Sequence, residues 1–496
     1  MNYPMVYEVD ARSWLQALSA RLDEPIRLGN VPATELDRWR DRGFTHVWLM
    51  GAWTVGPRSR GAGWKNPQLR QECAEALPDF QPTDLAGSPY AVAAYRVPRE
   101  LGGETGLKNF RQQLNGRGLK LLLDFVPNHV GLDHPWLAQH PEWFVHCETR
   151  LPGTFRETSP VGELWVAHGK DPNFLPWNDT AQLDYRQPAT RAAMIETLKD
   201  IARRCDGVRC DLAMLLLNDV FVKTWQDFAP SQPPSEPPPA TEFWEKAIAS
   251  VKASQPEFMF LAEAYWDLEE RLQGLGFDYV YDKRLYDFLA ARDHPAVQRH
   301  LLSHSPEFVR ASAHFLENHD EARIASILDP AEHRAAALVI LGLPGMRLVH
   351  DGQLTGARVR TPVQLGRRPV EEPQAEIQAL YDQLLGALAK SAVGRGDARV
   401  LSLRSAWPDN RSCANFVVVQ WQAQPPAFDL VVVNLAPHPS QCYTALEAPD
   451  LANFNWRMQD LLGEERYERY GDDLQTQGLY LDVPAHGAQL FHFDPL

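Results

Sequence analysis

The sequence predicts an α/β fold: a TIM-type (β/α)8 barrel, a small inserted subdomain after the third strand, and a C-terminal antiparallel β-sandwich domain. Eight short apolar runs alternate with helical segments up to about residue 395, which is typical of a parallel barrel. Residues 131–185 show no clear period and are rich in Trp, Pro and His, and they are too many for a plain loop. From about Arg399 the apolar runs are β-rich and separated by turns, which favours an antiparallel sheet.

The predicted barrel strands are short apolar runs without alternation, as expected for strands that are buried on both faces. In chain order they are Met5–Val9, Phe44–Met50, Leu119–Phe125, Gly207–Cys210, Phe258–Ala262, Asp278–Tyr281, Ala313–Leu316 and Met346–His350. The main predicted helices are Glu35–Arg42, one ending near Leu114, Arg191–Arg204, Trp244–Ser254, Arg334–Leu343 and Ala375–Ser391. Residues 1–130 and 186–395 are therefore assigned to the barrel, 131–185 to the inserted subdomain, and 396–496 to the C-terminal domain.

Composition limits the class of protein and its partners. The apolar share of 44% and the charged share of 23% are those of a soluble globular protein. The net charge of −15 argues against nucleic acid or an anionic membrane as a partner. Six scattered cysteines without a C-x-x-C pair indicate free thiols in a reducing compartment, and the charged N-terminal stretch does not resemble a signal peptide. We expect a cytoplasmic protein without a membrane partner, and its oligomeric state is left open.

The stretch Asp206–Asp211 reads Asp-Gly-Val-Arg-Cys-Asp and closes the fourth predicted strand. Alternate residues of a strand point to the same side, so Arg209 and Asp211 should face one site together. A guanidinium group beside a carboxylate keeps it ionised and lowers its pKa. A fixed, ionised carboxylate is what a nucleophile in glycoside chemistry must be, although this stretch alone is equally typical of an ordinary ion pair.

Four polar stretches follow predicted barrel strands, at the end where such barrels place their active sites. They are Asp124–His129, Gly207–Asp211, Ala262–Glu263 and Asn318–Asp320. In this order they resemble the motif set of the α-amylase family, glycoside hydrolase family 13. The resemblance extends over nearly the whole chain, including the insertion and the C-terminal domain.

The resemblance implies a role for each matching residue. Asp211 corresponds to the nucleophile that forms the covalent glucosyl intermediate, Glu263 to the general acid/base, and Asp320 to the carboxylate that grips the sugar hydroxyls. Asp124 corresponds to a brace of the barrel end. The implied substrate-binding residues are Tyr90 (an aromatic platform), His129 and His319 (hydrogen bonds to the sugar) and Arg209 (charge partner of the nucleophile). Taken singly, His129 and Tyr90 are more typical of a protein core.

The chain departs from the family pattern after the nucleophile. Many α-amylases carry a Lys-His pair where this chain has Met214 and Leu215. We expect these two residues to border an apolar acceptor subsite, the alternative being that they pack the start of the next helix. The closing motif of the insertion is matched by Gln182-Leu183-Asp184.

Three further features bear on cofactors and ligands. The resemblance requires no cofactor and no metal residue is assigned, although Asn128 matches a calcium-ligand position and makes calcium an option. The stretch Gln353–Arg368 carries four arginines, which fit either a phosphate site or a solvated loop with local ion pairs. Pro230–Pro239 is a polyproline-like loop of unassigned role.

These observations lead to the expectation of a retaining hydrolase that acts on α-1,4-linked glucans or maltooligosaccharides. A transglycosylase or a phosphorolytic enzyme of the same family is the alternative among enzymes. A non-catalytic amylase-like binding protein is the alternative of another class, but such proteins typically lack one of the three carboxylates that this chain keeps.

Overall fold

The computed structural model describes residues 2–159, 162–228 and 241–496. The predicted Pro230–Pro239 loop lies outside these described residues.

Within the described residues, eight parallel strands close into a barrel. In chain order they are β1 (Met5–Asp10), β2 (His46–Met50), β3 (Lys120–Phe125), β4 (Gly207–Cys210), β5 (Met259–Ala262), β6 (Tyr279–Tyr281), β7 (Ser312–Phe315) and β8 (Met346–His350). Each strand pairs with its neighbours in sequence, and β8 closes on β1. The predicted fold class is confirmed, and each predicted strand overlaps an observed one.

Helices surround the barrel, so its strands are buried on both faces. Leu121, Leu122 and Leu123 of β3 are all fully buried although their side chains alternate in direction. The longer helices are Ala11–Leu22, Ala33–Asp41, Pro57–Lys65, Pro67–Ala76, Gly103–Asn115, Pro188–Ala202, Phe243–Lys252, Lys283–Ala290, His294–Ser303, Pro330–Gly342 and Ala375–Lys390. The shorter ones are Trp136–Gln139, Asn218–Thr224, Glu269–Gly274, Pro306–Arg310, Ile324–Ile327 and Gly471–Gln477.

The helix before β8 begins earlier than the apolar pattern predicts. It starts at Pro330 because the Asp329 carboxylate accepts hydrogen bonds from the backbone N–H groups of Ala331 and Glu332. Proline is well suited to the first helical position, since its N–H would have no partner there.

The segment between β3 and β4 contains short antiparallel sheets. Strand His129–Gly131 pairs with Thr180–Gln182, which ties the end of the segment back to the barrel rim. A second sheet has three strands, His146–Cys147, Thr154–Ser159 and Gly162–Ala167.

The C-terminal region contains two antiparallel sheets around a core of its own. The six-stranded sheet comprises Asp397–Val400, Phe416–Gln422, Phe428–Asn434, Asn455–Asp460, Arg466–Tyr470 and Ala488–Pro495, and the three-stranded sheet comprises Leu403–Ser405, Ser440–Thr444 and Leu479–Val483. The buried indole of Trp421 donates a hydrogen bond of 2.8 Å to the Gly342 carbonyl and so anchors this region to a barrel helix.

Across the described ranges, every helix is too short or too polar to cross a bilayer. All six cysteines are free thiols.

Candidate active site

A cavity of about 770 Å³ opens at the C-terminal end of the barrel strands. Five of the seven predicted site residues line it, namely Tyr90, His129, Asp211, Glu263 and Asp320. Arg209 and His319 lie just behind its wall, where they contact residues that line it. The structure therefore brings all seven predicted residues together.

Strand register explains why Asp211 and Glu263 are neighbours. Cys210 of β4 lies beside Ala262 of β5, so the next residue of each strand emerges at the same level. The Arg209 guanidinium lies below both carboxyl groups: Nη1 is 2.5 Å from Asp211 Oδ1, and Nη2 is 2.8 Å from Glu263 Oε2. Arg209 is fully buried, so one cation serves two buried carboxyl groups.

The pKa of Asp211 differs from the sequence expectation. Burial raises the pKa of this carboxyl to about 7, the nearby Arg209 acts against that rise, and Glu263 adds to it. Arg209 alone would lower this pKa, as expected from the sequence. The nearly complete burial of Asp211 and the second carboxyl group that shares the arginine outweigh its effect.

One ion pair and two hydrogen bonds hold the Glu263 carboxyl group. Besides Arg209, the backbone N–H of Leu212 donates to Oε2 at 2.7 Å, and the Tyr265 hydroxyl donates to Oε1 at 2.7 Å. Leu212 reaches Oε2 from a backbone with φ of 42°, a left-handed conformation that is unusual for a leucine. Burial raises the pKa of Tyr265 well above its ordinary value, so this hydroxyl stays protonated and donates.

A second acid–base cluster surrounds His319. Its Nδ1 is 2.5 Å from Glu8 Oε1, and its Nε2 is 3.1 Å from Asp320 Oδ2 and 2.6 Å from the Tyr90 hydroxyl. Burial alone would lower the pKa of His319, but the carboxylates of Asp320 and Glu8 outweigh it and raise the pKa well above the ordinary value. Desolvation likewise opposes ionisation of Asp320, but His319 outweighs it and lowers the pKa of that carboxyl.

Glu8 and Tyr265 are site residues that the sequence reasoning missed. Glu8 is fully buried within β1, and one acidic residue inside an apolar run was the signal that could have identified it. Tyr265 follows Glu263 by two residues, and no feature of its sequence context distinguishes it.

Aromatic rings and a brace support the barrel end of the cleft. The Tyr90 ring stacks on His319, with 5.4 Å between the ring centroids and 29° between the planes. Asp124 accepts hydrogen bonds from the Trp48 indole at 2.9 Å and from the Gly51 N–H at 2.7 Å, and so joins the ends of two strands.

Burial lowers the pKa of His129 to about 4, so its imidazole is neutral near pH 7.

The outer wall of the cavity is aromatic and comes from segments without sequence motifs. Phe174 and Trp177 lie in the inserted segment, while Trp266 and Phe288 follow β5 and β6. Phe174 is 71% exposed and Trp266 is 37% exposed, although side chains of this size are usually buried. These rings form an open apolar surface on which a sugar ring could stack.

The expectation that Met214 and Leu215 border an acceptor subsite is wrong. They are 0% and 2% exposed and belong to the main hydrophobic core. They lie in a short 3-10 turn, Ala213–Leu216, which directs them inward, and Leu212 lines the cavity instead.

The residues around Asn128 do not fit a calcium ion. The Gln182 amide nitrogen donates to the Asn128 carbonyl at 2.8 Å and to Asn128 Oδ1 at 3.1 Å, so N–H groups face the oxygens that a cation would need. The nearby Asp184 carboxylate is bound at two points by Arg186, at 2.8 and 2.9 Å. Among the described residues, no group of three or more His, Cys, Asp or Glu side chains is placed to hold a metal.

Arginines near the last barrel strand form local ion pairs. Arg367 binds Asp84 at 2.7 Å and Asp79 at 2.9 Å, and Arg368 binds Asp351. Arg360 donates to the Asp320 carbonyl at 3.0 Å. This arrangement favours the alternative of a loop with local ion pairs over a phosphate site.

The family model of the alpha-amylase catalytic domain matches residues 81–360, which is more than half of the chain. The chain belongs to the α-amylase family, glycoside hydrolase family 13. The matched residues contain all seven predicted site residues but not Glu8, which precedes them.

The curated relatives are longer than this chain, and each matches it over about half of its length. The chain is 23% identical over 281 residues to alpha-amylase MalA of Haloarcula japonica, a match that covers 54% of this chain and 36% of that protein. It is 26% identical over 279 residues to the alpha-1,4-glucan:maltose-1-phosphate maltosyltransferase of Burkholderia pseudomallei, with 54% and 20% covered. The matches thus span well under half the length of these relatives.

Solved structures share the fold over the whole chain. A noncanonic maltogenic alpha-amylase, AmyB from Thermotoga neapolitana, superposes with a TM-score of 0.68 at 19% identity and 99% coverage of both chains. An alpha-amylase from Lactobacillus plantarum superposes with a TM-score of 0.66 at 22% identity and 99% coverage of both chains.

Proposed function

We propose that this α-amylase-family protein is a retaining hydrolase of α-1,4-linked glucans or maltooligosaccharides. The observation that carries the proposal is the pair Asp211 and Glu263, which emerge side by side from adjacent strands and share the Arg209 guanidinium. A retaining mechanism needs two carboxyl groups about 5–5.5 Å apart, one as nucleophile and one as acid/base. Two groups bound to one guanidinium are close enough for that arrangement.

The proposed reaction has two steps. In the first, the Asp211 carboxylate attacks the anomeric carbon and breaks its bond to the glycosidic oxygen, while Glu263 gives its proton to that oxygen. In the second, Glu263 takes a proton from water, whose oxygen attacks the same carbon and releases Asp211. Asp320 binds the sugar hydroxyls as the oxocarbenium-like charge develops, and no cofactor takes part.

A transglycosylase is the second candidate, favoured by the exposed aromatic wall of the cleft. Phe174, Trp177 and Trp266 offer rings on which an acceptor sugar could pack in place of water. One relative is itself named a maltosyltransferase. Phosphorolysis has less support, because Arg367 and Arg368 are already paired with carboxylates. A non-catalytic binding role also has less support, because all three carboxylates are present at the cleft.

The stereochemistry of the first product tests the mechanism. Proton NMR during hydrolysis of maltoheptaose should show the α-anomer before mutarotation, since two displacements at one carbon retain its configuration. Initial β-anomer would contradict the proposal. Mass analysis of the products separates hydrolysis from transfer, and added phosphate should leave the products unchanged.

We also propose a cytoplasmic location, with a glucan and no nucleic acid as the partner. Six free thiols suit a reducing compartment, and the net charge of −15 disfavours polyanions.

A further inference from the structure

We infer that the side-chain amide of Gln182 fills the place of a metal ion in joining the inserted segment to the barrel. The amide clamp, as we name the pair of Asn128 and Gln182, is built entirely from the chain's own donors and acceptors. The inference concerns stability and ion response, so it stands independently of the proposed hydrolase activity.

The geometry of Gln182 resembles that of a small cation among oxygens. Its Nε2 has three oxygen neighbours: the Asn128 carbonyl at 2.8 Å, Asn128 Oδ1 at 3.1 Å and the Leu183 carbonyl at 3.0 Å. Its Oε1 accepts a hydrogen bond of 3.2 Å from Asn128 Nδ2. Gln182 is fully buried, and oxygens of this kind, carbonyl and side-chain amide, are among the ligands that calcium takes.

The amide differs from a cation in two respects that matter. It supplies two N–H donors, so it satisfies buried oxygens without bringing a charge into the interior. It is also covalently part of the chain, so no ion has to bind for the contact to form. The Asp184 carboxylate is the nearest acidic group along the chain. It forms an ion pair with Arg186, so no metal ion is needed to balance its charge.

The amide clamp lies directly behind the cleft wall. Gln182 pairs with His129 in the antiparallel register of the two short strands, and Asn128 Nδ2 lies 3.3 Å from His129 Nδ1. The His129 ring in turn packs against Trp177, with 5.2 Å between the ring centroids. Gln182 is therefore a positioning residue that fixes this wall without touching the cavity.

Thermal unfolding of the whole protein tests the inference. The wild-type apparent melting temperature should change by less than about 1 °C between EDTA and millimolar calcium, because no ion binds the folded state at this position. Gln182→Glu replaces the amide NH2 group, a hydrogen-bond donor, with a carboxylate oxygen, an acceptor, on a side chain of the same length. In EDTA this variant should lose about 5 °C or more, since a buried carboxylate then faces three oxygens.

Calcium should restore part of that loss, because the carboxylate completes an oxygen shell that a divalent cation can fill. Gln420→Glu is the matched control. Gln420 is another buried amide, 4% exposed, which bridges the carbonyl and the N–H of Glu447 at 2.9 Å in the C-terminal region. This variant should be destabilised too but should not respond to calcium, because the Gln420 amide nitrogen donates to one oxygen, the Glu447 carbonyl, where that of Gln182 has three oxygen neighbours.

Three outcomes would overturn the inference. The first is a wild-type protein that melts several degrees lower in EDTA and recovers with calcium. The second is a Gln182→Glu variant as stable as the wild type in EDTA, and the third is an equal calcium response in the two variants. The wild-type measurement decides by itself if neither variant folds.

Discussion

The cleft contains two clusters in which one cation serves two carboxyl groups. In the first, His319 lies between Glu8 and Asp320, and in the second, Arg209 lies between Asp211 and Glu263. Asp320 is the partly open member, with 46% of its side chain exposed, and its pKa is lowered. Asp211 is 5% exposed, and its pKa is raised.

The difference shows that the surrounding charges decide which carboxyl group is ionised, because desolvation opposes ionisation of both. At Asp320 the charge and the hydrogen bond of His319 outweigh desolvation, and the charges of Arg209 and Arg360 add to their effect. Asp211 has lost its water and shares its arginine, so its charge is only partly compensated. We therefore expect Asp320, the proposed sugar-binding carboxylate, to be ionised throughout the neutral pH range, and the ionisation of Asp211, the proposed nucleophile, to depend on pH.

The largest expected effect comes from Asp211→Asn, which removes the proposed nucleophile but keeps the shape of the side chain. We expect a loss of about four orders of magnitude or more in kcat, as in comparable removals of a nucleophile. The assay is the release of reducing ends from maltotetraose, with the melting temperature measured in parallel. A variant with a tenth of wild-type activity and an unchanged melting temperature would refute the assignment of Asp211.

Glu8→Gln should give the next largest effect. The change removes one of the two carboxylates that His319 contacts and leaves Asp320 as the other. The pKa of His319 should therefore fall, and its proposed hydrogen bond to the sugar should weaken. We expect kcat/KM for maltotetraose to fall about 10- to 100-fold, as for other losses of positioning near a reacting centre.

Tyr7→Phe is the matched control for Glu8→Gln. Tyr7 is the adjacent residue of β1, and its hydroxyl donates to Asp351 at 2.5 Å, away from His319. This variant should lose stability while kcat/KM stays near the wild-type value. Equal losses of kcat/KM in both variants would mean that β1 as a whole is disturbed, and that Glu8 has no particular role.

The pH profile follows from the raised pKa of Asp211. Since Asp211 must be ionised to act as the proposed nucleophile, kcat/KM should rise with pH up to about 7 and fall about tenfold for each unit below it. The folded-state pKa lies above the ordinary value of 3.8, so the contribution of this carboxyl to the free energy of unfolding decreases as the pH rises between those values. An acidic limb near pH 4 would show that Arg209 dominates over burial, as the sequence expectation assumed.

The sequence predicts the barrel well because its signals are local. Each strand is an apolar run, and Asp124, Asp211, Glu263 and Asp320 each end or closely follow such a run. The boundary of the helix at Pro330 was missed because its start is set by a cap, where the apolar period gives no signal.

The remaining features depend on contacts between distant segments. The raised pKa of Asp211 needs Glu263 from another strand and the surrounding burial, and neither is visible in the motif around Arg209. Met214 follows Asp211 by three residues, but a 3-10 turn directs its side chain into the core. The aromatic wall formed by Phe174 and Trp266 comes from loops whose sequences carry no period.

Tyr265→Phe should have the smallest effect. It tests a single hydrogen bond in the cluster of Arg209, Asp211 and Glu263. The change removes the hydroxyl that donates to Glu263 Oε1, while Arg209 and the Leu212 N–H still hold Oε2. We expect a loss of about 3- to 10-fold in kcat, the size of one neutral hydrogen bond. The loss should be larger for maltotetraose than for a nitrophenyl maltoside, because only the sugar leaving group needs a proton from Glu263. Equal losses with both substrates would show that the hydroxyl only supports packing near the cleft, and that proton donation does not depend on it.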